Sequence, residues 1–341
     1  MRHLYTIISL LLLTFFGTSC EHKDLCYTHP HTMPVKIVID WRYAPGAEDD
    51  ISTMEVMLFP KAGGEAFHYQ VGKYGGIVWV PVTAYYGTCF NSGEGANRWD
   101  SRPSDFFTMN VTTRMSPDEE AMSRINAPSS RVPRTIDATD QDFLLEPDML
   151  YSDQLNDICI ELRSTLTFSD GRSTEEYTED DLQVITFYPE RRTPHYTVII
   201  KNLRNLGYVQ SLSASMSSMS GAYYVGTEHA DNDRWLQSFD MQHIQGSDLD
   251  IAGDFLGFGH CPDEDFLHTV TLYLVLSDGT KLYYPFDVTE QMHSEENRNS
   301  MEVTIVIDAG IVIPPPETAA GGLQPTVDGW MHEIVDLGTL Q

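Results

Sequence analysis

The sequence predicts an all-β protein with two tandem domains, on the basis of three observations. Apolar residues alternate with polar ones over many short stretches, which is the period of a strand with one buried face. Asp-Gly pairs follow two of these stretches, at Asp170-Gly171 and Asp278-Gly279. This pair is a strong hairpin signal because the central residues of a tight turn need positive φ. The 341 residues are enough for two domains of ~100 to 200 residues each.

The first 20 residues have the layout of a secretion signal. A short basic start is followed by an apolar run over 4–16 and by small residues that lead to Cys20. The apolar run is shorter than the ~20 residues that a membrane-spanning helix needs. A Cys directly after small residues resembles the bacterial lipobox, in which the thiol is acylated and the chain is cut before it. We therefore expect a signal peptide over 1–19 and lipid attachment at Cys20. The alternative is an ordinary secretion signal with a coincidental Cys.

Composition excludes several classes of function. The formal charge of −29 repels phosphate backbones, so nucleic acid is not an expected partner. The 41% hydrophobic share and the 17 Tyr residues provide enough apolar surface for folded cores, which argues against disorder.

Cysteine and histidine spacing gives no sign of a metal or redox site. Cys26, Cys89, Cys159 and Cys261 are far apart and form no Cys-x-x-Cys pair. One or two disulfides are open to them in an exported protein, and their pairing cannot be deduced from sequence. The polar segment 20–32 is typical of a tether. Its histidines, His22, His29 and His31, are interpreted as solvated residues rather than metal ligands, since a flexible segment cannot preorganise ligands.

Alternation predicts the strands of an N-terminal domain over 33–190. Val35, Ile37 and Ile39 share one strand face, and Met54, Val56 and Leu58 mark a second strand that ends at Pro60. A polar excursion is expected between Gly63-Gly64 and Gly75-Gly76. The further predicted strands are 77–80, 85–90, 158–168 and 182–188.

Residues 91–150 contain five prolines and form the least regular part of the sequence. Ser116, Pro117 and Glu119 have the pattern of a helix start, so one short helix is expected near 117–126. The rest of this segment is predicted to be a long irregular insertion, which is more often functional than filler.

Two prolines bracket a charged tetrapeptide over 189–194, which indicates a stiff, exposed connector between compact units. The C-terminal domain is predicted over 191–313, and a slip of register at Ser217-Ser218 indicates a bulge. Its predicted strands are 196–203, 208–216, 270–276, 283–286 and 303–307. Three prolines at 314–316 begin a tail over 314–341, which is either a final strand or a loose end.

The sequence contains partial matches to catalytic motifs, and each of them lacks a required residue. His332-Glu333 lacks the second His of a zinc-protease helix. Gly93-Glu94-Gly95 and Gly257-Phe258-Gly259 lack the third Gly of a phosphate loop. No Gly-x-Ser-x-Gly motif occurs. We therefore expect neither an enzyme nor a bound cofactor.

The sequence contains two weaker binding signals. The acidic clusters at 48–50, 175–181 and 231–233 lack the Gly and terminal Glu of a calcium loop, so solvated turns are favoured. Four tryptophans could stack on sugars, although such residues are more often core. They are Trp79, Trp99, Trp235 and Trp330.

Several short motifs together resemble segments of Bacteroidales lipoproteins of unassigned function, a group similar to the fimbrillin and minor-fimbrium anchor superfamily. They are Val38-Ile39-Asp40-Trp41, Gly75-Gly76-Ile77-Val78-Trp79-Val80-Pro81, Pro147-Asp148-Met149-Leu150-Tyr151, Ser217-Ser218-Met219-Ser220-Gly221 and Phe286-Asp287-Val288-Thr289. Cys20 matches the lipidated Cys of the anchor proteins, and 305–313 matches their last second-domain strand. The resemblance implies two transthyretin-like β-sandwiches on the outer membrane and polymerisation by strand addition.

The resulting hypothesis is a lipid-anchored assembly subunit at the cell surface, held through acylated Cys20, whose partners are fimbrial subunits joined by strand contacts. The alternative is a surface glycan-binding lipoprotein, which requires exposed aromatic side chains next to one another. A hydrolase is the third reading, and no carboxylate pair is positioned for it.

Overall fold

The computed structural model describes residues 32–91, 95–99, 105–113, 141–161, 182–261, 263, 265–316 and 330–332. The predicted signal peptide, Cys20, most of the tether, the helix expected near 117–126 and the Asp170-Gly171 hairpin lie outside these residues. In the part of the chain that is described, no helix combines the length and apolar character needed to cross a membrane.

Strands dominate the described residues and confirm the all-β class. The first eleven are β1 Thr32–Ile39, β2 Thr53–Pro60, β3 Phe67–Gly72, β4 Gly75–Pro81, β5 Ala84–Phe90, β6 Arg98–Trp99, β7 Asn110–Thr112, β8 Phe143–Leu144, β9 Tyr151–Cys159, β10 Gln183–Phe187 and β11 Glu190–Arg191. The others are β12 His195–Lys201, β13 Val209–Ser220, β14 Ala222–Tyr224, β15 His229–Ala230, β16 Arg234–Asp240, β17 Gln242–His243, β18 Ile251–Leu256, β19 Thr269–Leu276, β20 Lys281–Asp287, β21 Glu302–Asp308 and β22 Trp330–His332. A four-residue helix, α1, covers Thr289–Met292.

The N-terminal half forms one eight-stranded sheet in the order β10-β1-β4-β3-β2-β5-β9-β11. Strands β3 and β4 are joined only at the Gly72–Gly75 pair, so the sheet divides there and folds over. The alternating residues Val35, Ile37 and Ile39 of β1 are buried in one core with residues from both parts of the sheet. The predicted buried face of the first strand is therefore confirmed.

The polar excursion predicted between the two Gly-Gly pairs is wrong, because it contains β3. Phe67 and Val71 pack toward the core, while the polar side chains between them hydrogen-bond to Glu55 on the neighbouring strand. His68 Nε2 lies 2.5 Å from one Glu55 oxygen, and Gln70 Nε2 donates to the other at 2.9 Å. The polar residues are thus satisfied across the sheet, which makes the strand stable despite its composition.

The C-terminal half is a sandwich of two sheets around a second core. One sheet has the order β17-β18-β12-β21, and the other has the order β22-β20-β19-β13-β16-β8. The predicted bulge is confirmed, since the register of β13 on β16 shifts between Met216 and Met219 and Ser218 has φ of 58°. The hairpin from β19 to β20 is also confirmed, although Gly279 is the turn residue with positive φ and Asp278 is not.

A third apolar cluster contains residues from both halves of the chain. Met57, Phe90 and Leu150 pack there with Tyr223 and Phe258. Beside it, a small sheet of order β15-β14-β7-β6 also mixes the two halves. Parts of the irregular insertion therefore pair with the C-terminal half, and the domain limits near 190 and 313 stay a prediction.

The connector over 189–194 is mostly sheltered from solvent and exposes only Glu190, contrary to the expectation from its prolines and charges. Thr193 is 0% exposed, and its hydroxyl accepts a hydrogen bond from the Leu150 backbone N–H at 3.1 Å. Residues of β11 pair with β9. The connector can lie against the sheets because strand pairing and side-chain hydrogen bonds satisfy its polar groups.

Candidate functional site

The outer edge of β20 is the first candidate site. β22 lies parallel to β20 and pairs Trp330 with Lys281 and His332 with Tyr283. Pro285 lies further along β20 and has no backbone N–H, which is why a strand of this composition is confined to sheet edges. The tail thus supplies a short added strand at the edge of the six-stranded sheet, which confirms one of the two alternatives predicted for it.

The edge of the other C-terminal sheet is covered differently. Strand β21 pairs with β12 on one side. On the other side, the Gln291 amide donates to the Val306 carbonyl and accepts from the Val306 N–H, both at 2.9 Å. The side-chain amide of Gln291 on α1 therefore reproduces the hydrogen bonds of a neighbouring strand, which blocks edge pairing at this residue.

A histidine cluster lies beside α1, where His260, His268 and His293 approach one another. Their ring centroids are 4.9 Å apart for His268–His293, 5.5 Å for His260–His268 and 6.1 Å for His260–His293. His268 is fully buried. Within the described residues, no three His, Cys, Asp or Glu side chains have an arrangement that could hold a metal ion.

The hydrogen bonds of the cluster fix its tautomers. His268 Nδ1 lies 3.3 Å from the Ser217 carbonyl, which is an acceptor, so Nδ1 carries the proton. His268 Nε2 then accepts from His293 Nε2 at 3.1 Å. The phenol of Tyr196 lies 3.4 Å from His260 Nδ1. If the phenol is the donor, the neutral His260 ring keeps its Nε2–H as a donor.

Both buried imidazoles remain neutral at physiological pH. Burial, together with the nearby His293 and Arg298, lowers the pKa of His260 to about 4. Burial, followed by the adjacent His260, lowers the pKa of His268 to about 4. The cluster consequently acts as a set of neutral donors and acceptors that gains charge only in acid.

The four predicted tryptophans are distributed over three sheets. Trp79 on β4 is 50% exposed, on the outer face of the eight-stranded sheet. Trp99 is half-buried and stacks on Phe90, with the ring centroids 3.8 Å apart. Trp235 belongs to β16 of the C-terminal sandwich. For Trp330, only the strand position is described. Trp79 is therefore the predicted sugar-stacking residue that the structure exposes.

The three described cysteines are free thiols. Cys89 and Cys261 are buried, and burial raises the pKa of both thiols, so both are unreactive at neutral pH. Cys159 is exposed, and Cys26 lies outside the described residues. No disulfide joins the cysteines that the structure describes.

Comparison with known proteins assigns the chain to a family. The model of a domain of unknown function, DUF5119, matches residues 19–240, more than half of the chain. The chain belongs to the DUF5119 family. No curated protein matches the sequence.

The chain was also compared with solved structures, and one of them shows the same architecture. A candidate adhesin from Bacteroides ovatus ATCC 8483 superposes with a TM-score of 0.63 at 17% identity, covering 89% of this chain and 99% of its own. The fimbrial anchor protein Mfa2 from Porphyromonas gingivalis superposes with a TM-score of 0.48 at 11% identity. The match covers 81% of this chain and 90% of Mfa2. The superposition on the Bacteroides ovatus structure confirms the predicted fold class, two tandem β-sandwich domains with a long irregular insertion.

Sequence reasoning did not identify the histidine cluster or the Gln291 contact. His260 and His293 are distant in the sequence, and they meet because a bridge to Met219 of β13 positions His260 while His293 follows α1. No spacing rule signals such a group. Gln291 looks like an ordinary helix residue until its position beside β21 is known.

Proposed function

We propose that this chain is a lipid-anchored subunit at the outer surface of the outer membrane, which acts through strand contacts with other subunits of a fimbria-like fibre. Acylation of Cys20, with palmitate among the acyl groups, would hold it to the membrane. The proposed role is structural or adhesive rather than enzymatic.

The pairing of β22 with β20 is the observation that carries this proposal. Three residues of the tail pair with the edge of a finished sandwich, and so short a strand adds few hydrogen bonds. An edge that holds a tail by so few bonds can exchange it for another strand. In strand addition, backbone hydrogen bonds supply much of the affinity, so the exchanged strand needs little specific sequence.

The shared fold supports a surface role. The Bacteroides ovatus protein of the same architecture is a candidate adhesin and is covered over 99% of its length. We extend adhesion or fibre assembly to this chain on that basis.

Removal of the tail tests the strand contact. A chain ending at Pro316 should bind a labelled peptide of residues 326–336, measured by fluorescence anisotropy, because the β20 edge is vacant. The full-length chain should bind the peptide more weakly, since its own tail competes. The matched control peptide carries Met331→Pro and should not bind, because proline removes a backbone donor. Equal binding of both peptides, or none by either, would contradict the proposal.

The lipid anchor has its own test. Cells grown with a labelled fatty acid should incorporate the label into the wild-type protein and not into Cys20→Ser. Cys26→Ser is the matched control and should remain labelled. The Cys20 variant should leave the membrane fraction. Retention of label in Cys20→Ser would disprove anchoring at this residue.

Glycan binding is the second candidate function, and the surface around Trp79 favours it. Ile77 and Val184 are both exposed and lie on either side of Lys36 in adjacent strands, on the same outer face as Trp79. Affinity electrophoresis in gels containing polysaccharide should retard the wild type more than Trp79→Ala. Identical migration with and without polysaccharide would dispose of this function.

A further inference from the structure

Cys159 is an exposed free thiol at the end of β9. The preceding residue, Ile158, packs into the N-terminal core, so the alternation of a strand places Cys159 on the outer face of the sheet. The other two described cysteines, Cys89 and Cys261, are both 0% exposed. Among the cysteines that the structure describes, Cys159 is therefore the one that a second thiol can reach.

The start of β1 lies at the same end of the N-terminal sheet as Cys159. Thr32, the first residue of β1, pairs with Pro81 at the end of β4. Cys159 pairs with Ala84 at the start of β5. Only two residues separate Pro81 from Ala84, consecutive Cα atoms are about 3.8 Å apart, and paired ones are at most about 5.5 Å apart. The Cα atoms of Thr32 and Cys159 are therefore no more than about 22 Å apart.

Gln183 makes a second connection between the two strands. Its backbone pairs with Val35 of β1, and its side-chain amide donates to the Cys159 carbonyl at 2.6 Å. The beginning of β1 and the end of β9 are thus joined through one side chain.

The remaining cysteine near this end of the sheet is Cys26, which lies six residues before Thr32 in the sequence. Six extended residues span about 20 Å, and the Cα atoms of a disulfide lie about 5.5 Å apart. The Cys26 thiol can therefore reach Cys159 without any movement of the sheet. Two groups joined by so short a chain have an effective concentration of about millimolar, which favours this pair over bonds between molecules.

We propose that Cys26 and Cys159 form a disulfide that fixes the tether to the N-terminal sheet. The oxidant is a disulfide of the glutathione or oxidoreductase class. The Cys159 thiolate attacks one sulfur of that disulfide and releases the other as a thiolate, and the Cys26 thiolate then attacks the Cys159 sulfur of the mixed disulfide. The chain loses two electrons and two protons, and the oxidant takes them up as two thiols.

The bond shortens the part of the tether that is free. Cys20 is six residues from Cys26 but 12 residues from Thr32, so the span between the acylated residue and its first attachment to the sheet falls from about 40 Å to about 20 Å. The end of the sheet that holds Cys159 is thereby kept close to the membrane. This consequence rests on the proposed lipid anchor, and formation of the bond in the cell rests on export to an oxidising compartment.

Peptide mapping after oxidation in vitro tests the pairing. The chain over 20–341 with Cys20→Ser is reduced, treated with glutathione disulfide, alkylated and digested without reductant, and its peptides are identified by mass spectrometry. We expect one linked pair that contains Cys26 and Cys159. Alkylation or glutathionylation of both residues, or a bond of either one to another cysteine, would overturn the proposal. The result depends on neither acylation nor export, so it is read separately from a failure of the proposed function.

Cys159→Ser in the same chain is the matched control and should leave Cys26 open to alkylation. Reduction should lower the unfolding midpoint of the oxidised chain by about 5 °C or more, because the bond restricts the unfolded state, and should leave that of the Cys159→Ser control unchanged. An equal response of the two chains to reduction would contradict the bond.

Protein isolated from the membrane fraction of cells should contain the same linked peptides. Free Cys26 and Cys159 thiols in that protein, when glutathione disulfide forms the bond in vitro, would overturn its formation in the cell.

Discussion

Arg192 and Glu228 form an ion pair of 2.5 Å between the connector and the loop before β15. The same guanidinium donates to the Ser152 carbonyl on β9 at 3.2 Å. Arg192 therefore links the N-terminal sheet to the C-terminal half through one side chain. Burial raises the pKa of Glu228, and the positive charge of Arg192 opposes that effect.

Replacing Arg192 with Met should lower the free energy of unfolding by about 2 kcal/mol, since a half-buried carboxylate and a carbonyl lose a charged donor. Urea unfolding followed by fluorescence measures the loss. Arg42→Met is the control, because its ion pair with Asp40 is exposed and screened by solvent, so its removal should lower stability less than removal of Arg192. Equal losses in the two variants would show that the Arg192 link is not stabilising.

The buried His268 makes stability depend on pH. Its pKa is lowered from 6.5 to about 4 in the folded chain, so between these values the unfolded chain binds a proton that the folded chain does not. Stability therefore rises with pH across this window and is lost as pH falls from 6.5 toward 4. From these two values, the loss between pH 7 and pH 5 is about 2 kcal/mol.

His268→Asn removes this titration while keeping a donor for the Ser217 carbonyl. The variant should lose about 2 kcal/mol less than the wild type when urea unfolding at pH 5 is compared with pH 7. Titrating groups outside the histidine cluster contribute alike to both proteins, so the difference reports the cluster that His268 belongs to. A variant that loses as much stability as the wild type would contradict the assigned pKa.

Gln291 protects the edge of β21. Gln291→Ala should expose the Val306 N–H and C=O, lower stability by about 1 kcal/mol and increase self-association through the uncovered edge. Size-exclusion chromatography over a range of concentrations measures the association. Glu290→Ala changes the exposed neighbouring residue in α1 and should remain at the wild-type size. A monomeric Gln291→Ala chain would show that other features protect this edge.

Gly75 and Gly63 differ in what surrounds them. Both have positive φ, but a Cβ at Gly75 would lie 2.0 Å from the Ile37 carbonyl oxygen, whereas nothing lies within 4 Å of one at Gly63. Gly63→Ala should cost about 1 kcal/mol from backbone strain alone. Gly75→Ala should cost about 3 kcal/mol or more, because backbone atoms must move as well. Thermal unfolding compares them, and similar midpoints would contradict the close approach of β1 and the β3–β4 turn.

Local sequence patterns predicted the strands that have one buried and one exposed face. The closing strand illustrates this, because Val303, Ile305 and Ile307 are buried and the residues between them are exposed. The bulge at Ser218 was also predictable, since a change of register interrupts the alternation of apolar and polar residues in the sequence. Strand β3 was missed because its polar residues are satisfied by Glu55 on another strand.

Long-range pairing was not predictable from the sequence. Strand β1 pairs in parallel with β10, and β12 pairs in parallel with β21, across about a hundred residues or more in each case. No turn residue signals such a contact. The candidate site was not predictable for the same reason. The histidine cluster and the Gln291 contact are made by segments that come together only in the folded protein.

Locking the tail onto β20 tests the central claim, that β22 must leave this edge for subunits to join. Tyr283 and His332 are paired across the two strands, and Cα atoms of adjacent strands are close enough for a disulfide. The double variant Tyr283→Cys/His332→Cys should form one, and each single variant serves as a control. Partner subunits are then captured from intact cells with the locked protein and, in parallel, after reduction. We expect the locked protein to capture none of the subunits that the reduced protein and the single variants bind. Capture of the same subunits by the locked protein would contradict the claim.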